Sequence, residues 1–248
     1  VLVRKKIKKQ FGGNLKAFVS GGGALDKEIG EFLNSIGLPT LQGYGLTETS
    51  PVVSCNPIHK IRVETVGPPF KGNQVKIAED GEILVKGENV MLGYWNQKEE
   101  TQRVIKDGWL YTGDIGEIDK KDGYLKITDR KKDIIVSAGG DNISPAKIEN
   151  LLSNSSAIDQ CMVYGDGKNY LVAIIVPSKE FVGNRNKIEE IIQEINKKLT
   201  PIEKIKKFRL IEENFSIENG LLTPTMKIKR NKVTEKYKNT LQNFYKNN

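Results

Sequence analysis

The strongest constraint on how this chain folds is an uninterrupted alternation near its start: an apolar run, a glycine cluster, a helical apolar period and a second apolar run. Residues 15–20 (LKAFVS) read as a short buried strand that ends in Gly21-Gly22-Gly23. Ile29, Phe32, Leu33 and Ile36 then recur at i, i+3, i+4 and i+7, with Asp26 as N-cap and Gly37 and Pro39 as stops. A second short strand leads into residues 41–50 (LQGYGLTETS). Strand, helix and strand in this order predict an α/β unit whose loops, and any ligand they hold, lie at the strand ends.

Both loops carry groups suited to a nucleotide. Gly22 and Gly23 let the backbone approach a flat ligand or a phosphate; a tight turn without ligand explains them equally well, since their spacing matches neither GxGxxG nor GxxxxGK[ST]. In the second loop Gly43 and Gly45 flank Tyr44, so the backbone can take a positive φ or come close to a ligand, while the ring offers a flat face to a nucleobase. Thr47 supplies a hydroxyl for phosphate oxygen, and Glu48 a hard oxygen ligand of the kind Mg²⁺ prefers. Taken alone, the same stretch is a strand end followed by a polar turn.

Composition removes several chemistries. The single histidine, His59, leaves no material for histidine triads or multi-histidine metal sites. Cys55 and Cys161 lie far apart without CxxC spacing, so they read as buried thiols and not as a disulfide framework or zinc site. With 248 residues, 38% hydrophobic and 28% charged, the sequence reads as globular, and no apolar run approaches the length of a membrane span or signal segment. The expected location is the cytoplasm, with peripheral contact to a membrane surface as an option. The formal charge of +8, concentrated in residues 4–9 and 227–246, suits nucleic acid, anionic lipid or a polyanionic small molecule without choosing among them.

Further along, alternating short strands at 74–78, 82–86, 116–119 and 124–128 predict a small β subdomain. Within it, Asp114 follows Thr112 and Gly113, and a carboxylate fixed at such a turn can accept both hydroxyls of a ribose; a satisfied turn aspartate is the plainer reading. Residues 129–133 (DRKKD) read as a linker or hinge. Beyond them Gly139-Gly140 makes another glycine loop, and Ser144-Pro145 starts a helix. Strands at 160–164, 170–176 and 208–211, with an apolar helical face at Ile188, Ile191, Ile192, Ile195 and Leu199, predict an α+β domain with its own core. Lys227, in NGLLTPTMKIKR, has no acidic neighbour in sequence and can donate to a phosphate; on that segment alone a surface lysine is the simpler account. Val233, Tyr237, Leu241 and Phe244 mark one face of a tail helix.

Taken together, QGYGLTET, YTGD, DRKKD and LTPTMKIKR resemble the adenylate-forming superfamily of acyl-CoA synthetases, firefly-type luciferases and peptide-synthetase adenylation domains. Residues 20–23, QGYGLTETSPVVS at 42–54 and SAGGDNISP at 137–145 make it most similar to the long-chain fatty-acid:CoA ligases. The resemblance runs through the whole chain and covers the later half of such an enzyme. It implies α/β and α+β multi-domain architecture: residues 1–58 as the later part of a large N-terminal α/β domain, 59–128 as a β-barrel-like subdomain, and 129–248 as a C-terminal α+β domain joined by a hinge.

The implied reaction joins a fatty acid to coenzyme A at the expense of ATP, with Mg²⁺, through an acyl-adenylate; no nucleic acid is involved. The resemblance puts Gly22, Gly23 and Tyr44 at the adenine and Thr47 at phosphate, with Glu48 holding Mg²⁺. Asp114 and Arg130 take the ribose or phosphate, Lys132 is the hinge, Gly139 and Gly140 line the CoA channel, and Lys227 serves the adenylation step. The family's Ser/Thr/Gly-rich loop ending in Lys-Gly, which holds the β- and γ-phosphates, has no equivalent here, so the expectation for the chain alone is inactivity. Two other expectations stay open: a ligase for another carboxylate or a carrier protein, and a non-catalytic adenylate-binding or basic interaction module. Two departures from the family pattern stand out, Met226 where many members have glycine and Asp141 where lysine is frequent.

Overall fold

The computed structural model describes residues 2–23 and 25–246. It divides into two compact units, Val1–Lys131 and Lys132–Asn248. Among the described residues no helix is long and apolar enough to cross a membrane.

The first unit opens with a basic helix α1 (Leu2–Gln10), then the expected strand, helix and strand: β1 (Phe18–Ser20), α2 (Lys27–Ser35) and β2 (Thr40–Gly45). Strands β1 and β2 are parallel, with Phe18 opposite Thr40, and β3 (Val52–Cys55) adds antiparallel to β2. Asp26 caps α2 as expected, its side chain accepting from the Ile29 amide. The burial differs from the sequence reading. Val19 is 73% exposed and Phe32 60% exposed, and the helix packs through Gly30, where a Cβ would overlap Val63. An apolar period identifies a helix without fixing how much of its face is covered.

A five-stranded sheet follows, made of β4 (Gln74–Ile77), β5 (Glu82–Lys86), β6 (Ile105–Lys106), β7 (Trp109–Ile118) and β8 (Leu125–Arg130), with α3 (Lys98–Val104) before β6. Its order is β4-β5-β7-β6 with β8 also paired to β7, so the expected barrel-like subdomain is an open sheet and not a closed barrel. Strand β7 is longer than the sequence suggested and takes in Tyr111 to Asp114, which had read as a turn. The core of this unit joins Tyr44 and Val53 to Val66, Ile83, Val85 and Leu125. Of the supposed linker, Asp129 and Arg130 complete β8 and the Lys131 amide donates to the Gly113 carbonyl.

The second unit begins with a small ladder of β9 (Ile135–Val136) and β10 (Asn142–Ile143), followed by α4 (Pro145–Ser153) with Ser144 as its N-cap. Its main sheet has the order β11-β12-β13, formed by β11 (Ile158–Tyr164), β12 (Leu171–Pro177) and β13 (Ile205–Leu210). Strand β12 is central and buried throughout because both faces are covered. Leu171, Ala173 and Ile175 pack with Ile148 and Leu152 of α4 and with Ile188, Ile192 and Ile195 of α5 (Arg185–Lys197). Val172, Ile174 and Val176 face the other way, toward Phe215, Leu221, Val233 and Leu241. This two-residue alternation builds a layered domain from one strand. The expected tail helix is broken near Tyr237 into α6 (Arg230–Lys236) and α7 (Lys238–Lys246).

Candidate functional site

In the first unit the site grows from the end of β2. Gly45 is required there by close approach and not by positive φ: a Cβ on it would lie 1.7 Å from the Pro51 carbonyl oxygen. The chain then makes a short 3₁₀ turn, Thr47–Thr49. Thr49 is buried and fastens that turn, its hydroxyl oxygen accepting from the Leu46 amide at 2.9 Å and lying 2.8 Å from the Pro51 carbonyl. Thr47 is thereby left exposed and Glu48 half-buried. Tyr94, which the sequence reading did not single out, donates its hydroxyl to Glu48 Oε1 at 2.8 Å, and the Met91 amide donates to the Glu48 carbonyl. Burial and then the Glu48 carboxylate push the Tyr94 phenol up to about 12, so it stays a donor at neutral pH.

Tyr44 differs most from its sequence reading. It is 6% exposed, with its ring in the core, so it does not present an open stacking face. What it brings to the site is its hydroxyl, which donates to Asp114 Oδ2 at 2.8 Å. Asp114, only 3% exposed, receives Arg130 Nε on its other oxygen at 3.0 Å. The pairing is dictated by the sheet, since Asp114 on β7 lies directly opposite Arg130 on β8. Burial raises the Tyr44 phenol well above its ordinary value and the Asp114 charge raises it further, so the proton stays on tyrosine and points at the carboxylate. These three residues come from three different strands.

A second set of groups fixes the backbone around Asp114. Gly113 takes φ +72°, a conformation that favours glycine. Its amide donates to Glu82 Oε1 at 2.8 Å, and the Thr112 hydroxyl oxygen accepts from the Asp114 amide at 3.1 Å. Lys131 Nζ donates to Glu82 Oε2 at 2.8 Å and to Asp80 Oδ2 at 2.6 Å. Glu82 carried no sequence signal, and Thr112 and Lys131, though inside YTGD and DRKKD, had no role assigned to them there. Gly22 and Gly23 are exposed in the loop after β1, with open space where a Cβ would stand.

The remaining candidates lie in the second unit. Lys132 is its first residue and sits exposed in a turn. Gly139 and Gly140 form an exposed loop organised by Ser137, whose hydroxyl oxygen accepts from the Gly139 amide at 3.1 Å and from the Asp141 amide at 3.0 Å. Asp141 Oδ2 accepts from Ser137 Oγ at 3.0 Å, so the residue that departs from the family pattern is itself part of the loop. Lys227 lies on a tight turn in which the Thr223 amide donates to the Lys227 carbonyl at 2.8 Å and the Lys227 amide to Thr223 Oγ1 at 3.0 Å. Its ammonium is exposed and pairs with no carboxylate among the described residues. Met226 beside it holds φ +62°. Both cysteines are free thiols; Cys161 is buried as expected, whereas Cys55 is half-buried.

The profile described as AMP-binding enzyme matches residues 2–95, and that described as AMP-binding enzyme C-terminal domain matches residues 132–248. The chain belongs to the AMP-binding enzyme family. Among curated family members, the long-chain-fatty-acid--CoA ligase FadD15 of Mycobacterium bovis is 39% identical over 266 residues, covering 98% of this chain and 44% of that protein. The chain thus spans less than half the length of that relative. Two solved structures of the family share the fold. The adenylation domain of a carboxylate reductase from Mycobacterium chelonae superimposes with TM-score 0.81 at 26% identity, over 96% of this chain and 40% of that one. The O-succinylbenzoate coenzyme A synthetase of Bacillus subtilis, in complex with AMP, gives TM-score 0.73 at 28% identity, over 87% of this chain and 45% of that one.

Proposed function

We propose that the protein carrying this chain is an AMP-forming ligase that activates a long-chain fatty acid with ATP and transfers the acyl group to coenzyme A. The observation that carries this reading is the buried Asp114 carboxylate, held by Tyr44 Oη on one oxygen and Arg130 Nε on the other. A carboxylate fixed in this way is the kind of group that accepts the vicinal hydroxyls of a ribose. After β2, which carries Tyr44, the turn fastened by Thr49 leaves Thr47 exposed and Glu48 half-buried, and these two are assigned to the phosphate oxygens and Mg²⁺. Gly22 and Gly23 leave room for the adenine ring, and Tyr44 contributes by orienting Asp114.

The chemistry assigned to these groups is two displacements. In the first, a carboxylate oxygen of the fatty acid bonds to the α-phosphorus of ATP and the bond to the β-phosphate breaks, releasing pyrophosphate. In the second, the coenzyme A thiolate bonds to the acyl carbon and AMP departs with the electron pair of the broken C–O bond. Lys227, exposed and paired with no carboxylate among the described residues, supplies positive charge for the first displacement. Lys132 serves as the hinge, and Gly139 and Gly140 line the approach of coenzyme A for the second.

Among the described residues no cluster of three or more His, Cys, Asp or Glu forms a metal cage. Mg²⁺ does not need one, since it is commonly bound by one or two carboxylates together with substrate phosphates, and Glu48 fits that part. When bound there it would offset negative charge on the phosphates.

Lys227→Ala in the full-length gene product tests the assignment. Pyrophosphate exchange should be lost, while thioester formation from supplied acyl-adenylate should persist; equal loss of both steps would overturn it. A second reading is adenylate binding without turnover by the 248-residue chain itself, for which Tyr44, Asp114 and Arg130, all within the first unit, would suffice. Saturable AMP binding by that chain without pyrophosphate exchange would support it. Strongly salt-dependent binding to anionic lipid or nucleic acid without AMP binding would instead favour a basic interaction module.

A further inference from the structure

Strand β11 is an edge of its sheet, and an edge strand leaves backbone groups that must find partners elsewhere when buried. At Val163 both are met by side chains. The Val163 amide donates to Glu149 Oε1 at 2.7 Å, and its carbonyl accepts from Arg230 Nη1 at 3.2 Å. Glu149 and Arg230 are also bonded to each other, through Oε2 and Nη2. Glu149 comes from α4 and Arg230 is the first residue of α6. Three separate segments therefore meet at one residue, and both charged side chains are largely shielded from solvent.

Arg230 stands three residues after Lys227. The turn between them and the buried Leu221 and Leu222 is held by local bonds, Thr223 with Lys227 and Thr225, Met226 with Thr223, and the Lys229 amide with the Leu221 carbonyl, and by the packing of Ile228. It also contains the left-handed Met226. Leu221 and Leu222 anchor the incoming side of this turn, Ile228 packs against the same core and bridges back to Leu222, and Arg230 is the next fixed point on the outgoing side.

We propose that Glu149 and Arg230 are positioning residues for Lys227: by bonding the Val163 amide, the Val163 carbonyl and each other, they form a clamp that fixes the end of the Lys227 turn beyond Ile228 against α4 and β11. Lys227 itself needs no partner within the unit, because its direction is set from the backbone. The proposal deepens the ligase reading, since the importance of Lys227 rests on that reading, but the geometry it invokes lies wholly within the second unit.

The test compares Arg230→Met with Ile192→Ala, a core variant of α5 that lowers stability without touching the clamp, in the 248-residue chain under conditions where both remain folded. Backbone hydrogen exchange is read at Met226, Lys227 and Lys229. Arg230→Met should speed exchange there by about tenfold or more relative to Ile192→Ala, because the turn opens locally while the unit stays folded. Equal exchange in the two variants would overturn the proposal. In the full-length gene product Arg230→Met should then lower kcat for pyrophosphate exchange with little change in KM for ATP, sparing thioester formation from supplied acyl-adenylate. A kcat equal to that of Ile192→Ala would overturn the functional part. Lys227→Ala separates the two ideas: if it leaves pyrophosphate exchange intact, the ligase role of Lys227 fails, while the exchange data still decide whether the clamp orders the turn.

Discussion

Removing one oxygen atom tests the centre of the candidate site. Tyr44→Phe keeps the ring among Val53, Val66, Ile83, Val85 and Leu125, so it opens no cavity, and Asp114 keeps Arg130. What is lost is one buried hydrogen bond of 2.8 Å to a carboxylate. Hydrogen bonds to charged groups contribute about 1.5–3 kcal/mol, so the first unit should lose about that much. For a unit spanning Val1–Lys131 each kcal/mol corresponds to roughly 3–5 °C, which puts the fall in Tm at about 5–15 °C.

The assay is tryptophan fluorescence during thermal and urea unfolding. Both tryptophans, Trp95 and Trp109, belong to the first unit, so the signal follows that unit alone. A cycle of Tyr44→Phe, Asp114→Ala and the double variant isolates the pair, and its coupling should also lie near 1.5–3 kcal/mol, in line with the hydrogen-bond magnitude. A coupling below about 0.5 kcal/mol, the ordinary scatter of independent sites, would refute the argument that tyrosine holds the carboxylate. Binding of AMP gives an independent reading, since a misoriented Asp114 should weaken it.

The same bond makes the first unit sensitive to alkali. Burial raises the folded-state pKa of Tyr44, so its stabilisation is complete below the unfolded value near 10, by roughly the ordinary tyrosine pKa, and declines as pH rises above it. Tyr44→Phe should flatten that decline in the fluorescence-monitored transition; an unchanged slope would contradict it. Gly45→Ala, which drives a Cβ into the Pro51 carbonyl, should cost about 3 kcal/mol or more by urea unfolding. Gly23→Ala, which meets open space, should stay within about 0.5 kcal/mol in the same assay while weakening AMP binding. Met226→Gly relieves a left-handed side chain worth about 1–2 kcal/mol but adds chain entropy, so a gain of up to about 1 kcal/mol is expected from circular dichroism melting. A clear loss would mean that the Met226 side chain makes contacts the turn depends on.

Local structure was well determined by local sequence. The cap at Asp26, the Ser144-Pro145 helix start and the continuous apolar run of β12 are each decided by a few neighbouring residues acting through backbone sterics or strand periodicity. The glycine-flanked Tyr44 and the turn at Thr47–Thr49 were also recognisable as a close-approach segment followed by a polar turn. What Tyr44 does there was not, because a tyrosine can stack on a ligand or donate a hydrogen bond, and only burial among residues from other strands selects the second. Likewise Asp114 read as a turn residue, since its strand register, which sets Arg130 opposite it, is a non-local pairing.

Tyr94 on Glu48, Glu82 on Gly113 and Arg230 on Glu149 are separated from their partners by tens of residues and leave no periodic or spacing signal. Sequence alone thus determined the elements and the chemical types available to the site. Tertiary structure decided which groups are paired, buried and aimed, because hydrogen-bond partners and desolvation depend on residues that meet only when the chain has folded.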